Sequence, residues 1–347
     1  MVIREEYMHR CLELAARGSG FVAPNPLVGA VLVHDDRIIG EGWHRQYGEA
    51  HAEINCIESV RDPEKHLIRE STMYVSLEPC AHYGKTPPCT NRILAEGIKN
   101  VVIGMRDPFA KVDGKGIAIL IEAGIQVITG ILEAQCRWQN RRFLTFHQKQ
   151  RPYLHLKWAQ TVDGFMSAGR GERLKISGPL ADRLVHKWRS EEASIMVGRD
   201  TAWLDNPQLN NRLWSGHQPL RIVTDRKLDL PAHLKMFTDG GVTIILNEEI
   251  EGQDGPLCWV EVERLSPEHP ESILNVLFAL DIQSVLIEGG QGLLQSFLQK
   301  DLWDEIHVIT NAFQKIGDGL KAPEMGTGKL FEEFQLGFDK VKGWYKE

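Results

Sequence analysis

His51, Cys80 and Cys89 constrain this chain more than any other residues, because together they read as ligands for one zinc ion. Zinc takes imidazole nitrogen and thiolate sulfur, and accepts four ligands. Two thiolates and one neutral imidazole cancel the charge of Zn²⁺ and leave a position for water, which is the pattern of catalytic sites. A fold that uses these residues must bring distant parts of the chain to one point. The local sequence predicts how. His51 opens a predicted helix over 51–60. Thr72–Leu77 has β-branched and aromatic residues at alternate positions and predicts a strand that ends on Glu78-Pro79-Cys80. A loop with Gly84 and Pro87-Pro88 then returns the chain to Cys89, the first residue of a predicted helix over 89–96. A thiolate at a helix N-terminus is stabilised there.

Glu53 follows His51 by two residues, too close to be a fourth ligand but well placed as a proton carrier beside a metal-bound water. His-x-Glu followed by Pro-Cys-x-x-Cys is the signature of zinc deaminases. This chain departs from it by placing eight residues, not two, between Cys80 and Cys89. His82 offers an alternative, a closed structural site with four protein ligands, but that arrangement gives Glu53 no purpose. The residues point to hydrolytic deamination at an amidine-like ring carbon.

The remaining pattern predicts two α/β domains. A helix around Met8–Ala15 and a hairpin of 28–33 with 37–42 precede the metal motifs. Strands at 101–105 and 125–129, with a helix at 116–123, follow them, so the sheet should be largely parallel and covered by helices. The polar, basic stretch 137–150 and Arg151-Pro152 mark the expected boundary, giving domains 1–150 and 151–347. The second domain alternates again. Strands are predicted at 153–159, 194–198, 220–224, 242–246, 284–287 and 305–310, and helices at 179–190, 271–279 and 293–299. The length of 347 residues suits two cores.

The formal net charge of -7, with no sustained Lys/Arg run, argues against a nucleic-acid partner and for a small molecule. The N-terminal 18 residues contain no long apolar run, so neither a signal peptide nor a membrane partner is expected. Six cysteines, two of them proposed as zinc thiolates, suit a reducing cytoplasm rather than a disulfide framework.

Glu288-Gly289-Gly290-Gln291-Gly292 lies between a predicted strand and a predicted helix, where glycines admit a phosphate to the backbone or simply let strand and helix pack closely. No G-x-G-x-x-G is present, which excludes a conventional Rossmann fingerprint. Thr161-Val162-Asp163-Gly164 reads as a turn with Asp163 as the turn residue, a proton-handling role remaining open. Arg189 and Arg212 are either phosphate partners or solvated surface arginines.

These motifs resemble the bifunctional deaminase–reductases of riboflavin biosynthesis. The resemblance rests on Pro24-Asn25-Pro26-x-Val28-Gly29, on His51-Ala52-Glu53, and on Leu77-Glu78-Pro79-Cys80-x-His82-x-Gly84-Lys85-Thr86-Pro87-Pro88-Cys89, whose long cysteine spacing is that family's own. It extends through Arg151-Pro152-Tyr153 and Thr201-x-x-x-Asp205-Asn206-Pro207. It implies a cytidine-deaminase-like first domain, with Asn25, His44, His82 and Lys85 at substrate positions. It also implies a dihydrofolate-reductase-like second domain that uses NADPH. There Thr201, Asp205 and the run Gly290, Gln291, Gly292, Leu293, Leu294, Gln295, Ser296 would meet the cofactor, and Arg189, Leu209, Arg212 and Glu288 the substrate. Enzymes of this kind are often homo-oligomers, and that state is expected here. The chain departs from the family at Lys175-Ile176-Ser177, where Trp-Ile-[ST] is usual, and through 168–174. This places local ligand contacts of the reductase in question. Two rivals remain: a deaminase of another base with a second domain that reduces nothing, and a non-catalytic ligand-binding protein with a structural zinc.

Overall fold

The computed structural model describes residues 3–83, 87–108, 113–169 and 174–346. The chain separates into two compact units, 1–150 and 151–347.

In the first unit, α1 (Glu5–Ala16) buries Tyr7, Met8, Cys11, Leu14 and Ala15, the apolar stripe of a 3.6-residue period. The hairpin β1 (Gly29–His34) and β2 (Arg37–Trp43) turns at Asp35 and Asp36, both with positive φ. Next come α2 (Ala52–Glu58), a 3-10 helix at Asp62–Glu70, β3 (Thr72–Leu77), α3 (Cys89–Ala95), β4 (Asn100–Met105), α4 (Lys115–Glu122) and β5 (Gln126–Thr129). The sheet runs β2-β1-β3-β4-β5, antiparallel over the first three strands and parallel from β3 to β5. Apolar clusters fill both faces, one around Ala30, Leu32, Val75 and Ile103, the other around Val31, Tyr74 and Val102. Alternate residues of each strand therefore feed opposite layers.

The stretch 137–150, read from sequence only as a polar boundary, is helical. It spans the end of α5 (Glu133–Gln139) and all of α6 (Arg141–Lys149). Phe143, Leu144 and Phe146 are buried among its charged neighbours.

The second unit is built on a ten-stranded sheet. Its elements are β6 (Tyr153–Thr161), β7 (Phe165–Ser167), α7 (Pro179–Glu191), β8 (Ser194–Val197), α8 (Arg199–Asp205), β9 (Leu220–Thr224), α9 (Lys235–Thr238), β10 (Thr243–Asn247), β11 (Gly252–Asp254) and β12 (Leu257–Glu261). They continue with α10 (Pro270–Ala279), β13 (Ser284–Glu288), α11 (Gln291–Gln299), β14 (Glu305–Asn311), β15 (Leu320–Lys321), β16 (Lys329–Leu336) and β17 (Asp339–Tyr345). Strand order is β11-β12-β10-β9-β8-β13-β6-β14-β17-β16. The strands from β12 to β14 are parallel, and β11, β17 and β16 run antiparallel at the edges. The central strands β8 and β13 are buried throughout, as expected of a parallel sheet covered on both faces.

Asp163 occupies the expected turn. Its carboxylate accepts the Thr161 hydroxyl at 2.6 Å and the N–H groups of Ile316 and Gly317 at 3.0 and 2.9 Å, which is the work of a loop anchor. Lys175 and Ser177, at the departure from the family pattern, both reach Asp182 in the first turn of α7 (2.7 and 3.2 Å). Of the stretch 168–174, positions 170–173 lie outside the described residues. No described helix is long and apolar enough to cross a membrane.

Candidate active sites

In the first unit, three elements deliver the three predicted ligands to one point. His51 is the extended residue immediately before α2, and Glu53 falls in that helix's first turn. The helix sits close on β2 because Gly42 has no side chain. A Cβ there would lie 2.2 Å from the Cys56 nitrogen and 2.5 Å from the Ala52 oxygen. Cys80 follows the end of β3, and Cys89 begins α3. The Nδ1 atom of His51 lies 3.5 Å from the Cys80 sulfur and 3.3 Å from the Cys89 sulfur.

These distances fit zinc. A tetrahedral ion with bonds of about 2.3 Å to sulfur and about 2.0 Å to nitrogen sets such ligands roughly 3.5 Å apart. The donor atoms of His51, Cys80 and Cys89 all lie within 4.8 Å of one another, and His82 does not join the cluster. The closed four-ligand alternative through His82 therefore has no geometric support. The Cys89 N–H also donates to the Cys80 sulfur at 3.2 Å, a bond that favours thiolate and orients it. The Cys89 thiol, hydrogen-bonded to Cys80, pulls the Cys80 thiol down to about 4, and the same bond raises that of Cys89. Two sulfurs sharing one proton is the charge state that a divalent cation displaces.

Glu53 is 3% exposed. Burial first, and the neighbouring Cys80 thiolate second, push its carboxyl up to about 7. A carboxyl with that affinity can both accept and return a proton near neutrality.

Asn25 and His44 stand behind His51. The Asn25 amide is 3.0 Å from His44 Nε2, and His44 Nδ1 is 3.1 Å from the Ala50 carbonyl. Since the carbonyl only accepts, Nδ1 carries the hydrogen and Nε2 accepts from the amide. Burial lowers the His44 pKa, which keeps the ring neutral. Its ring meets that of His51 edge-on, with centroids 5.3 Å apart. His82 is half-buried in the segment just after Cys80. Lys85 lies outside the described residues.

In the second unit a charged group gathers around the end of β13. Arg189 donates to both oxygens of Glu288, and Lys157 Nζ lies 3.6 Å from one of them. Arg189 also donates to the Asn210 carbonyl at 2.9 Å. Arg212, whose side chain is exposed, reaches the Asn210 side chain at 2.9 Å, and its N–H donates to His186 Nδ1 at 3.1 Å. Burial, then Arg189 and Arg212, lower His186 to about 4, so it is neutral at pH 7. Leu209 has φ +52 and packs its side chain into an apolar cluster with Val197, Ala202 and Leu234, leaving its main chain for any ligand.

The glycine segment and α8 meet. Gly289 and Gly290 have φ of +78 and +76, and a Cβ on Gly290 would stand 3.0 Å from Thr201 Oγ1. Gln291 begins α11, so its first N–H groups lack partners within the helix. Farther along that helix, Leu294 is fully buried, Gln295 accepts the Glu324 N–H, and the Ser296 hydroxyl donates to the Leu293 carbonyl. Asp205 closes α8, on the same helix as Thr201.

Residues 1–105 match the cytidine and deoxycytidylate deaminase zinc-binding region, and residues 152–324 match the RibD C-terminal domain. The chain is 35% identical to the riboflavin biosynthesis protein RibD of Aquifex aeolicus, covering 98% of this chain and 95% of that one. It is 37% identical to the RibD of Bacillus amyloliquefaciens, covering 96% and 90% respectively. The crystal structure of a diaminohydroxyphosphoribosylaminopyrimidine deaminase/5-amino-6-(5-phosphoribosylamino)uracil reductase from Thermotoga maritima superposes with a TM-score of 0.89, at 37% identity and 98% coverage of both chains. The chain belongs to the RibD family. It is a bifunctional enzyme of riboflavin biosynthesis, with a cytidine-deaminase-like zinc domain and a dihydrofolate-reductase-like domain, and its cofactors are zinc and NADPH.

Three residues that position these clusters escape sequence reasoning. Glu78 is buried at the end of β3, and its carboxylate accepts four N–H groups, from Asp107, Gly114, Gly116 and Ile117, at 2.9–3.2 Å. It ties the strand that delivers Cys80 to the start of α4. Only its place before Pro79-Cys80 hinted at importance. Asn140 exchanges two hydrogen bonds with the main chain of Leu27, at 2.8 and 2.9 Å, and so fixes the turn that presents Asn25. Lys157 is an ordinary strand residue by pattern, and its contact with Glu288 depends on β6 and β13 being adjacent in the sheet.

Proposed function

We propose that residues 1–150 perform the deamination, residues 151–347 the reduction, and that the residues assembled above carry the two steps. The substrate is 2,5-diamino-6-(5-phosphoribosylamino)pyrimidin-4-one and the final product 5-amino-6-(5-phosphoribitylamino)uracil. The observation that carries this reading is the convergence of His51, Cys80 and Cys89 beside the buried carboxyl of Glu53.

His51, Cys80 and Cys89 hold the zinc. When bound, zinc supplies Lewis acidity that brings the pKa of a water to near neutrality. Glu53 accepts a proton on the side of the attacking water and returns it to the ring nitrogen and the departing amine. Its carboxyl, buried in the first turn of the helix that follows His51, is placed for both halves of that transfer. Asn25, His44, His82 and Lys85 bind the substrate, and the neutral ring of His44 keeps the Asn25 amide directed.

In the reductase half NADPH supplies the hydride that turns the ribosyl group into ribityl. Thr201, Asp205 and the segment Gly290, Gln291, Gly292, Leu293, Leu294, Gln295 and Ser296 hold the cofactor. The positive φ angles and the exposed start of α11 support phosphate binding there. Arg189, Arg212, Glu288 and Leu209 hold the sugar and its phosphate. The enzyme works in the cytoplasm as a homo-oligomer on a small molecule, without nucleic acid or membrane.

Product analysis by mass spectrometry on the full chain tests the reading. With the diaminopyrimidine phosphate alone, only the deaminated product should form; adding NADPH should give the ribityl product. Absence of a deaminated product from zinc-loaded protein would overturn the deaminase half. Sedimentation velocity tests the oligomer, a monomer at working concentration excluding it.

A further inference from the structure

A second convergence of metal-ligating side chains lies wholly inside the second unit, on residues other than those assigned to NADPH and substrate. His155 on β6 stands opposite Glu305 on β14, and His307 follows Glu305 by two residues on the same face. All three are buried. His155 Nε2 and His307 Nδ1 are 2.8 Å apart, and Glu305 Oε1 lies 4.0 and 3.5 Å from them. The other oxygen of Glu305 accepts the Tyr153 hydroxyl at 2.6 Å.

The outer nitrogens of the two rings are also occupied. His155 Nδ1 is 3.1 Å from Glu192, and His307 Nε2 is 2.5 Å from Glu332. Glu332 reaches His307 across the intervening strand β17, and glycine makes that passage. A Cβ on Gly343 would stand 2.8 Å from both His307 Nε2 and Glu332 Cγ. Trp188 of α7 stacks on the His307 ring at 4.3 Å.

Counting donors and acceptors decides what the centre of this chain of groups needs. Where both outer carboxylates are ionised they only accept, so each outer nitrogen carries its ring's hydrogen. Both inner nitrogens then present lone pairs to each other at 2.8 Å. Something positive must lie between them, either a proton or a metal ion. A proton engages two donors, whereas three converge here. Imidazoles whose far N–H groups are held by carboxylates are the arrangement that orients histidine on metals.

We propose that His155, His307 and Glu305 form a second, structural site for a divalent first-row metal ion, with Glu192 and Glu332 as its outer carboxylates. The nitrogen–oxygen donor set suits zinc and its neighbours. Bonds of about 2.0 Å to each nitrogen require the two rings to part by roughly 0.5 Å. The ion joins β6 to β14, is backed by β16 and by the residue just after α7, and thereby fixes the helix end that carries Arg189.

The test is metal stoichiometry of the untagged full chain, refolded from chelator with zinc or with cobalt. Two ions per chain are expected. Cobalt should show thiolate charge transfer from the cysteine site and, separately, bands of a nitrogen–oxygen site without thiolate. Cys89→Ser should retain one ion, of the nitrogen–oxygen kind, and His307→Gln should retain only the thiolate-bound one. Glu332→Gln, a change at a partly exposed residue that should fold, is expected to weaken the second site by about 10- to 100-fold while leaving the first intact. One ion per wild-type chain, removed entirely by Cys89→Ser, would overturn the proposal and leave a pair of histidines sharing a proton.

Discussion

Arg189 and Glu288 face each other fork to fork inside the second unit, Nε to one carboxylate oxygen at 2.6 Å and Nη2 to the other at 2.8 Å. Burial opposes the charge on Glu288, but Arg189 and then Lys157 more than offset it and hold the carboxyl down to about 2. A folded-state value below the unfolded one means stability that is complete above pH of about 4.3 and lost as pH falls toward 2. The difference corresponds to about 3 kcal/mol. Urea unfolding of the wild type between pH 5 and 2.5 should show this loss, and Glu288→Gln should lack that part of the slope. Equal slopes in both would remove Glu288 from the account of acid stability. In the reductase assay the same variant should weaken substrate binding more than NADPH binding.

Glu53→Gln keeps the shape of the buried carboxyl and removes its ability to carry a proton. The variant should retain zinc, because its ligands are untouched, and lose deamination by about 10²–10⁴ or more. Metal analysis and a single-step deamination assay check this together. Full activity in zinc-loaded Glu53→Gln protein would assign the proton transfer to another group.

Cys89→Ser should instead lose metal from the first site. A hydroxyl is a poor substitute for thiolate on zinc, and the change also breaks the sharing of one proton between Cys80 and Cys89. Reduction of added deaminated substrate should continue, since Arg189, Glu288 and Gly290 lie beyond residue 150. A parallel loss of reduction would show that the metal supports the whole chain. A fragment ending at Gln150 tests the same independence from the other side, and should fold, bind zinc and deaminate.

The first site was legible because its chemistry is written in residue types. Thiolates at 80 and 89 and an imidazole at 51 are expensive to bring together without a metal, and β3 is found with the bounds its alternation predicts. The second unit is less legible at its edge. The hairpin of β16 and β17 gives no strand signal in the sequence, because Glu333, Lys340 and Lys342 break up its apolar alternation. In the fold those charges pair across the strands, Lys340 and Lys342 both reaching Glu333. His155 and His307 gave no signal either. Each sits in a strand of ordinary pattern, and only the adjacency of β6 and β14 brings them together. The Arg151–Asp304 pair, two hydrogen bonds of 2.6 and 2.8 Å, is hidden for the same reason.

Gly290 offers the sharpest test of the reductase half. Its φ of +76 is costly for any residue with a Cβ, and most for a β-branched one. A Cβ would also stand 3.0 Å from the Thr201 hydroxyl, tighter than an ordinary contact, and would narrow the approach to the first N–H groups of α11. Gly290→Val should therefore raise the NADPH dissociation constant, measured by fluorescence titration, by at least the tenfold that about 1.4 kcal/mol of strain and obstruction represents. Deamination should be unchanged, because the cluster of His51, Cys80 and Cys89 precedes Thr90 in the chain. Equal NADPH affinity in wild type and variant would remove this segment from the cofactor site. A simultaneous loss of deamination would trace the effect to misfolding, and Gly290→Ala, smaller but still strained, would then separate the two by showing a lesser loss of NADPH binding in a chain that still deaminates.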